Sequence, residues 1–240
     1  MTWTRPENVA FPQVWLTFKA KDPDTGKIVK YRVQDLPEDR FDEVLYLMST
    51  IFRRDETMCR SLNIINDPDL MGRSDASVWC GVLKQKISVV CFKENSNEIC
   101  GLNILEILEK DVKENGMEIQ IPKIQAVMKA LDFMKAKADP YNRYGVDKFL
   151  HAMGLLVVPK YRGLGISTEI LKARVPLGKA LGIKLTGTVF TGIASQNTAA
   201  KAGFVEDFSV LYEDLAKKEP FVEFPNISAP YCKFMSLRFE

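Results

Sequence analysis

Histidine is almost missing from this chain: His151 is the only one in 240 residues. A multi-histidine metal site or zinc finger is thereby excluded. Any Ser-His-Asp triad would have to use His151, which sits in an apolar run over 149–158 where a structural role is expected. Cysteine is sparse as well. Cys59, Cys80, Cys91, Cys100 and Cys232 make an odd number with no Cys-x-x-Cys pair, which fits reduced, mostly buried thiols in a cytoplasmic protein better than a disulfide framework. No charge sign dominates, since 33 Lys and Arg face 31 Asp and Glu for a formal net charge of +2. Nothing therefore points to a nucleic-acid surface. Residues 1–20 mix Arg5, Glu7 and two prolines with apolar residues, so no secretory signal is read. No apolar run is long enough to span a bilayer, and neither internal repeats nor low-complexity linkers occur.

What is present is ordinary globular composition, 46% hydrophobic and 27% charged. The length suits one domain over 1–240, large enough to bury a core without disulfides, with 1–27 as an arm of unassigned role. Hydrophobic periodicity divides the rest. Residues 28–34 alternate as a half-buried strand. Asp35 or a neighbour should cap a helix carrying Phe41, Val44, Leu45, Met48, Ile51 and Phe52 on one face. Further helices are expected over 57–65, from Asp67 to about Lys86, and from Pro122 to about Ala138. Strands over 87–92 and 99–107 form a hairpin around a polar turn. A strand over 149–158 leads through a glycine loop into a helix reaching about Leu181, which Pro176 should kink. A strand over 184–191, a short helix over 195–202 and strands over 205–212 and 231–239 follow, while 109–121 and 139–145 read as loops. This order is a mixed α/β (α+β) arrangement around one sheet rather than a regular βα array.

The chemistry is concentrated between Leu155 and Ser167. A buried strand opens into Pro159-Lys160-Tyr161-Arg162-Gly163-Leu164-Gly165, and a helix begins immediately afterwards. Such a loop turns backbone N–H groups and a positive helix end toward an anion, with pyrophosphate the natural guest. A P-loop is excluded because no Gly-Lys-Ser/Thr follows, and a dinucleotide fingerprint fails at Thr168 and at Lys184-Leu185-Thr186. Arg162-x-x-Gly165-x-Ser167 instead fits the Arg/Gln-x-x-Gly-x-Gly/Ala loop that holds acyl-CoA pyrophosphate, with serine in the last small position. Here the chain resembles the GNAT superfamily of N-acetyltransferases, and more narrowly the insect arylalkylamine N-acetyltransferases. Their Tyr-Arg-Gly-Leu-Gly-Ile string is present as Tyr161–Ile166, and Lys201-Ala202-Gly203-Phe204 is similar to their Lys-Leu-Gly-Phe.

The resemblance, extending over about 28–240, implies a central, mostly antiparallel, splayed sheet flanked by helices, with acetyl-CoA as acyl donor and no metal. It implies contacts to that donor from Leu156, Val157, Val158, Lys160, Arg162, Gly163, Leu164, Gly165, Ile166 and Ser167. The family's general base follows the first helix in a Phe-x-x-Asp-Glu setting, matched by Phe52-Arg53-Arg54-Asp55-Glu56, so Glu56 is the expected base and Asp55 its nearest rival. Removing a proton from an alkylammonium with a pKa of roughly 10 costs about 4 kcal/mol at neutral pH, which a carboxylate can meet. Backbone N–H on the strand over 155–158, freed by a bulge, would meet the oxyanion. Thr191 and Ser195 stand where the insect group places hydroxyls for the leaving thiolate, and Ser195 is also a candidate N-cap. Ala199 replaces the tyrosine acid of many other members.

The acceptor implied is a small arylalkylamine such as dopamine, serotonin, tyramine or octopamine, attacked directly in a ternary complex. Another amine on the same fold (a polyamine, an amino acid or a protein N-terminus) and a non-catalytic acyl-CoA binder are the competing readings. Phe52, Phe133 and Phe190 are candidate aromatic walls. Met128 and Met134 are expected in the core, and the segments 109–121 and 139–145 are candidate rims. Partners beyond the amine and acetyl-CoA, and the oligomeric state, have no signal in the sequence.

Overall fold

The computed structural model describes residues 3–70, 77–110, 112 and 121–239. Eight strands form one sheet: β1 (Val14–Lys21), β2 (Ile28–Asp35), β3 (Val89–Lys93), β4 (Ile99–Glu109), β5 (Lys148–Val157), β6 (Leu185–Phe190), β7 (Val205–Leu211) and β8 (Tyr231–Arg238). Their spatial order is β1-β2-β3-β4-β5-β6-β8-β7. Every neighbouring pair is antiparallel except β5 and β6, which run parallel and are paired only at Leu150 and Thr186. The sheet thus splays open beyond Leu150. Threonine hydroxyls replace ladder bonds at the fork, Thr186 donating to Leu150 O at 2.8 Å and Thr188 to Ala152 O at 3.0 Å.

Nine α-helical segments pack around this sheet among the described residues. They are α1 (Phe41–Leu47), α2 (Arg53–Asp55), α3 (Thr57–Ser61), α4 (Ser77–Leu83), α5 (Pro122–Ala138), α6 (Pro140–Tyr144), α7 (Ile166–Ala180), α8 (Ile193–Lys201) and α9 (Tyr212–Lys217). A π-turn, Met48–Phe52, joins α1 to α2. Strand alternation divides the core between the two faces. Leu105 and Leu150 pack with Ile170, Ala173 and Leu177 of α7, whereas Ile104 packs with Val44, Met48 and Leu83. Phe149 and Phe234 lie under Ala130, Met134 and Ala138 of α5. No helix among the described residues is long and apolar enough to cross a membrane.

Several expectations need correction. The segment 1–27 contains the edge strand β1, and its Arg5 is buried against Asp35 at 2.9 Å. Asp35 does not cap a helix, because its carboxylate also accepts from Trp15 Nε1 at 2.7 Å and Gln13 N at 2.9 Å. Burial pushes that carboxyl up from its ordinary value, and Arg5, Trp15 and Gln13 pull it back. Asp139–Gly145 is no plain loop, since α6 occupies it: Asp139 caps the helix and Tyr144 OH donates to Asp207 Oδ1 at 2.6 Å. The α9 helix was not expected at all. The helix expected from Asp67 to Lys86 begins as a 3-10 turn, Pro68–Leu70, and is α-helical over α4; residues 71–76 lie outside the described set. The α7 helix, by contrast, runs through Pro176 to Ala180, close to the expected end at Leu181.

Candidate active site

The splay between β5 and β6 opens into a cavity of about 640 Å³. One wall is β5 itself, from His151 to Val157, and the other is β6 with the turn Thr191–Ser195. A bulge shapes the first wall. Ile104 pairs with Gly154 and Leu105 with Ala152, so Met153 is the extra residue. Trp79 Nε1 donates to Met153 O at 3.0 Å, and Asn103 Nδ2 donates to Gly154 O at 2.8 Å. The bulge therefore precedes the 155–158 segment where it was expected. Gly154 has φ +142°, and a Cβ there would lie 2.6 Å from Met48 Cε and 3.1 Å from the Phe52 ring. Only glycine lets the π-turn sit this close to the strand.

After the bulge, Val158 N donates to Cys100 O on β4 at 3.0 Å. Alternation along the strand then turns the N–H groups of Leu155 and Val157 to the opposite edge, toward the cavity. On β5 these two amides face the cavity. They lie on the wall that Leu155, Leu156 and Val157 line.

Glu56 and Thr191 meet across the cavity. Thr191 Oγ1 donates to Glu56 Oε1 at 2.5 Å, and Cys59 N donates to Glu56 Oε2 at 2.8 Å. The second bond makes Glu56 the N-cap of α3. Its own N–H bonds Phe52 O at 2.7 Å, which hangs the carboxylate from the end of the π-turn. Thr191 is fixed in turn by Tyr212, whose hydroxyl donates to Thr191 O at 2.7 Å. Burial pushes the Tyr212 phenol well above its ordinary value, so it serves as a neutral donor. Ser195 lines the same cavity, but it is the third residue of α8, not its cap. Its hydroxyl donates to Gly192 O at 2.8 Å and accepts from Gly192 N at 3.3 Å. A Cβ on Gly192 would lie 2.3 Å from Thr57 Oγ1, so this turn passes hard against the start of α3.

The glycine loop closes the remaining side. Gly163 and Gly165 have φ +76° and +80°, in the left-handed region that favours glycine. They aim the first turn of α7, with amides that have no partner inside the helix, at the cavity edge. Arg162 and Ser167 line that edge. Ile166 is buried and Leu164 packs on the core, so those two anchor the loop. Lys160 points elsewhere, to Glu98 at 3.0 Å and Asp24 at 3.3 Å. Arg162 Nε donates to Val157 O at 3.0 Å and its Nη2 to Asp55 Oδ2 at 2.6 Å. The Arg54 hydrogen bond, with help from Arg162, holds the Asp55 carboxyl at about 2.

Phe52 and Phe190 line the cavity as expected, but Phe133 does not; it packs edge-on to Phe208 at 6.3 Å. Met134 is buried in the core, whereas Met128 lines the cavity with Ile124, Val127 and Leu131 of α5. His151 also lines it, with Nδ1 3.0 Å from Glu106 Oε1. Trp79 was missed by sequence reasoning, because nothing local to it marks the bulge it holds. None of residues 139–145 lines the cavity, and most of 109–121 lies outside the described residues.

No protein-family model matches the chain, and no curated protein does. Solved structures do. A yellow fever mosquito (Aedes aegypti) protein provisionally named arylalkylamine N-acetyltransferase 7 is 44% identical, with 99% of this chain and 100% of that one covered and a TM-score of 0.94. The chain belongs to the insect arylalkylamine N-acetyltransferases. It is accordingly an acyltransferase of the GNAT superfamily, and its splayed sheet is the GNAT fold. More distant structures share that fold. Arylalkylamine N-acetyltransferase 2 of Aedes aegypti is 20% identical over 88% of this chain and 99% of that one, with a TM-score of 0.75. A polyamine N-acetyltransferase of Drosophila melanogaster that forms N-acetylagmatine is 15% identical over 87% and 100%, with a TM-score of 0.72.

Proposed function

We propose that this insect arylalkylamine N-acetyltransferase family member transfers acetyl from acetyl-CoA to the primary amine of a small arylalkylamine, by direct attack in a ternary complex within one domain. The observation that carries the reading is Glu56, a carboxylate clamped by Thr191 and Cys59 N–H where the β5 wall, the β6 wall and the apolar end of the cavity meet.

The residues fit acetyl-CoA. The outward edge of β5 offers the Val157 amide to an extended pantetheine arm, and the α7 N-terminus beyond Gly163 and Gly165 suits pyrophosphate. Arg162 and Ser167 stand at that edge. Lys160, bound to Glu98 and Asp24, is left for the outer phosphate at most. Acetyl-CoA supplies the activated acyl group.

Glu56 takes a proton from the bound ammonium, directly or through water. The Leu155 N–H meets the carbonyl oxygen as it becomes anionic. The hydroxyls of Thr191 and Ser195, which here donate to Glu56 Oε1 and Gly192 O, meet the departing thiolate, and the second proton shed by the acetylated nitrogen passes to that thiolate to give the free thiol. Cys59 also lines the cavity, but burial, with the Glu56 charge adding to it, pushes its thiol well above the usual range. A neutral buried thiol is a poor nucleophile, which favours direct attack over an acyl-cysteine relay.

The lining supports an aromatic amine over a polyamine. It includes Phe52, Trp79, Ile124, Val127, Met128 and Leu131. The acids among the described lining residues are Asp55 and Glu56, and Asp55 is already engaged by Arg54 and Arg162. A cytoplasmic location belongs to the same proposal and rests on the five free thiols.

The test is free-thiol release from acetyl-CoA across a panel of arylalkylamines, polyamines, amino acids and peptides. Preferential turnover of arylalkylamines, lost in Glu56→Gln, is the expected result. Turnover confined to polyamines or peptides would overturn the acceptor assignment, and CoA binding without turnover by any amine would overturn the enzymatic one.

A further inference from the structure

Arg174 is buried to 1% exposure in the middle of α7, beneath the fork of the sheet. Among the described residues no carboxylate pairs with it. Its partners are neutral: Nε and Nη2 both donate to Asn103 Oδ1, at 2.9 and 2.7 Å, and Nη1 donates to Thr186 Oγ1 at 3.2 Å. The Phe204 ring lies 5.7 Å from the guanidinium. Burial lowers its pKa to about 9, which still leaves it charged at neutral pH. An unpaired buried cation is costly, and an apolar side chain of similar size would ordinarily be no worse for the fold. Its retention calls for a use.

The bonds beyond Asn103 supply one. Asn103 Oδ1 receives two charge-assisted hydrogen bonds, and the other end of the same amide, Nδ2, donates to Gly154 O at 2.8 Å. Gly154 O and Leu155 N–H belong to one trans peptide and point to opposite edges of β5. The carbonyl faces β4 and Asn103; the N–H faces the cavity. Hydrogen bonds in series polarise one another, more strongly in a dry interior. Electron density drawn toward Arg174 through the Asn103 amide and the Gly154 carbonyl leaves the Leu155 N–H a stronger donor.

We infer that Arg174 is a positioning residue for acyl transfer, acting through Asn103 and the Gly154–Leu155 peptide to strengthen and aim the backbone N–H that receives the oxyanion. The inference rests on the reading of Leu155 N–H as that donor. The second arm of Arg174 supports it. Through Thr186 and Leu150 O it fixes the one point where β5 and β6 still pair, so the guanidinium holds both sides of the fork from which the amide projects.

Three forms of the full chain test this: wild type, Arg174→Met and Arg174→Lys. Arg174→Met keeps the volume and removes the charge. Its kcat is expected to fall roughly tenfold, less than the hundred- to thousand-fold typical of losing a direct oxyanion donor, because the amide itself remains. KM for both substrates and the thermal midpoint should hold, since the charge acts on an oxygen that becomes anionic only in the transition state. Arg174→Lys should recover part of kcat. The ¹⁵N shift of the Leu155 amide should move in Arg174→Met and return toward wild type in Arg174→Lys, which a packing role alone does not require. Equal kcat in wild type and Arg174→Met overturns the inference while leaving the proposed reaction intact. A fall in kcat accompanied by matching changes in KM and midpoint, with the Leu155 shift unmoved, also overturns it. Absence of turnover by the wild type with every amine removes the proposed reaction and this inference together.

Discussion

The guanidinium of Arg162 lies 2.6 Å from Oδ2 of Asp55, tying the glycine loop on one side of the cavity to the residue beside Glu56 on the other. The cation proposed for the CoA phosphates is thus paired with a protein carboxylate. Asp55→Asn should release it and remove a negative charge from the path of an anionic ligand. The expected result is several-fold tighter CoA binding by calorimetry, most marked at low salt; weaker binding would show that Asp55 presents Arg162 to CoA. The same pair has a pH signature. The Asp55 carboxyl is lowered from 3.8 to about 2 by Arg54 first and Arg162 second. A lowered acid contributes stability above its unfolded pKa and loses it as pH falls through the folded one. The stability difference between wild type and Asp55→Asn should be constant above about pH 4 and vanish toward about pH 2.

Thr191→Val keeps the shape of the side chain and removes the donor to Glu56. Glu56 then keeps the Cys59 N–H. A hydrogen bond to a charged group contributes about 1.5–3 kcal/mol, so kcat/KM should fall by roughly tenfold or more while Thr191→Ser stays close to wild type. Steady-state kinetics with one amine suffice, and unchanged kcat/KM in Thr191→Val would show that Glu56 works without it.

Gly154→Ala places a methyl 2.6 Å from Met48 Cε on a backbone of positive φ. Overpacking of this kind costs about 1–3 kcal/mol. Urea unfolding should shift by that amount, and activity should fall further than stability because the displaced peptide carries Leu155 N–H. An unchanged midpoint would mean that Met48 and Phe52 make room.

Among the described residues, Arg5→Met leaves the buried carboxylate of Asp35 with Trp15 and Gln13 as donors. Breaking a buried ion pair from one side costs about 3–5 kcal/mol. Denaturation midpoints should report that loss. A change below 1 kcal/mol, roughly the value of an exposed pair, would show the N-terminal segment to be dispensable to the sheet.

Long elements with clear periodicity were legible from the sequence: α5 was expected from Pro122 to Ala138 and runs over those residues. Glu56 and Thr191 were legible only through family motifs, and their mutual hydrogen bond, 135 residues apart in the chain, carries no local signal. β1 escaped because an edge strand buries little; of its eight residues only Ala20 is fully covered. Asp35 was misread because an acid before a helix normally caps it, and the long-range guanidinium of Arg5 took it instead. Arg174 stood in an ordinary amphipathic stretch, and its partner is a neutral amide 71 residues away. The bulge was placed too late on β5 because its position is set by Trp79 and Asn103 from outside the strand.

The bulge at Met153 and the π-turn over Met48–Phe52 are each one residue longer than the regular element would be, and they touch at Gly154. Each surplus accommodates the other: the widened helical turn follows the strand where it swells. Shortening either element by one residue would leave the partner's extra residue with nothing to fit. The two insertions are therefore coupled in space. Variation that removes one without the other should be absent from working members of this lineage, while loss of both together would flatten the wall and take the proposed oxyanion amide with it.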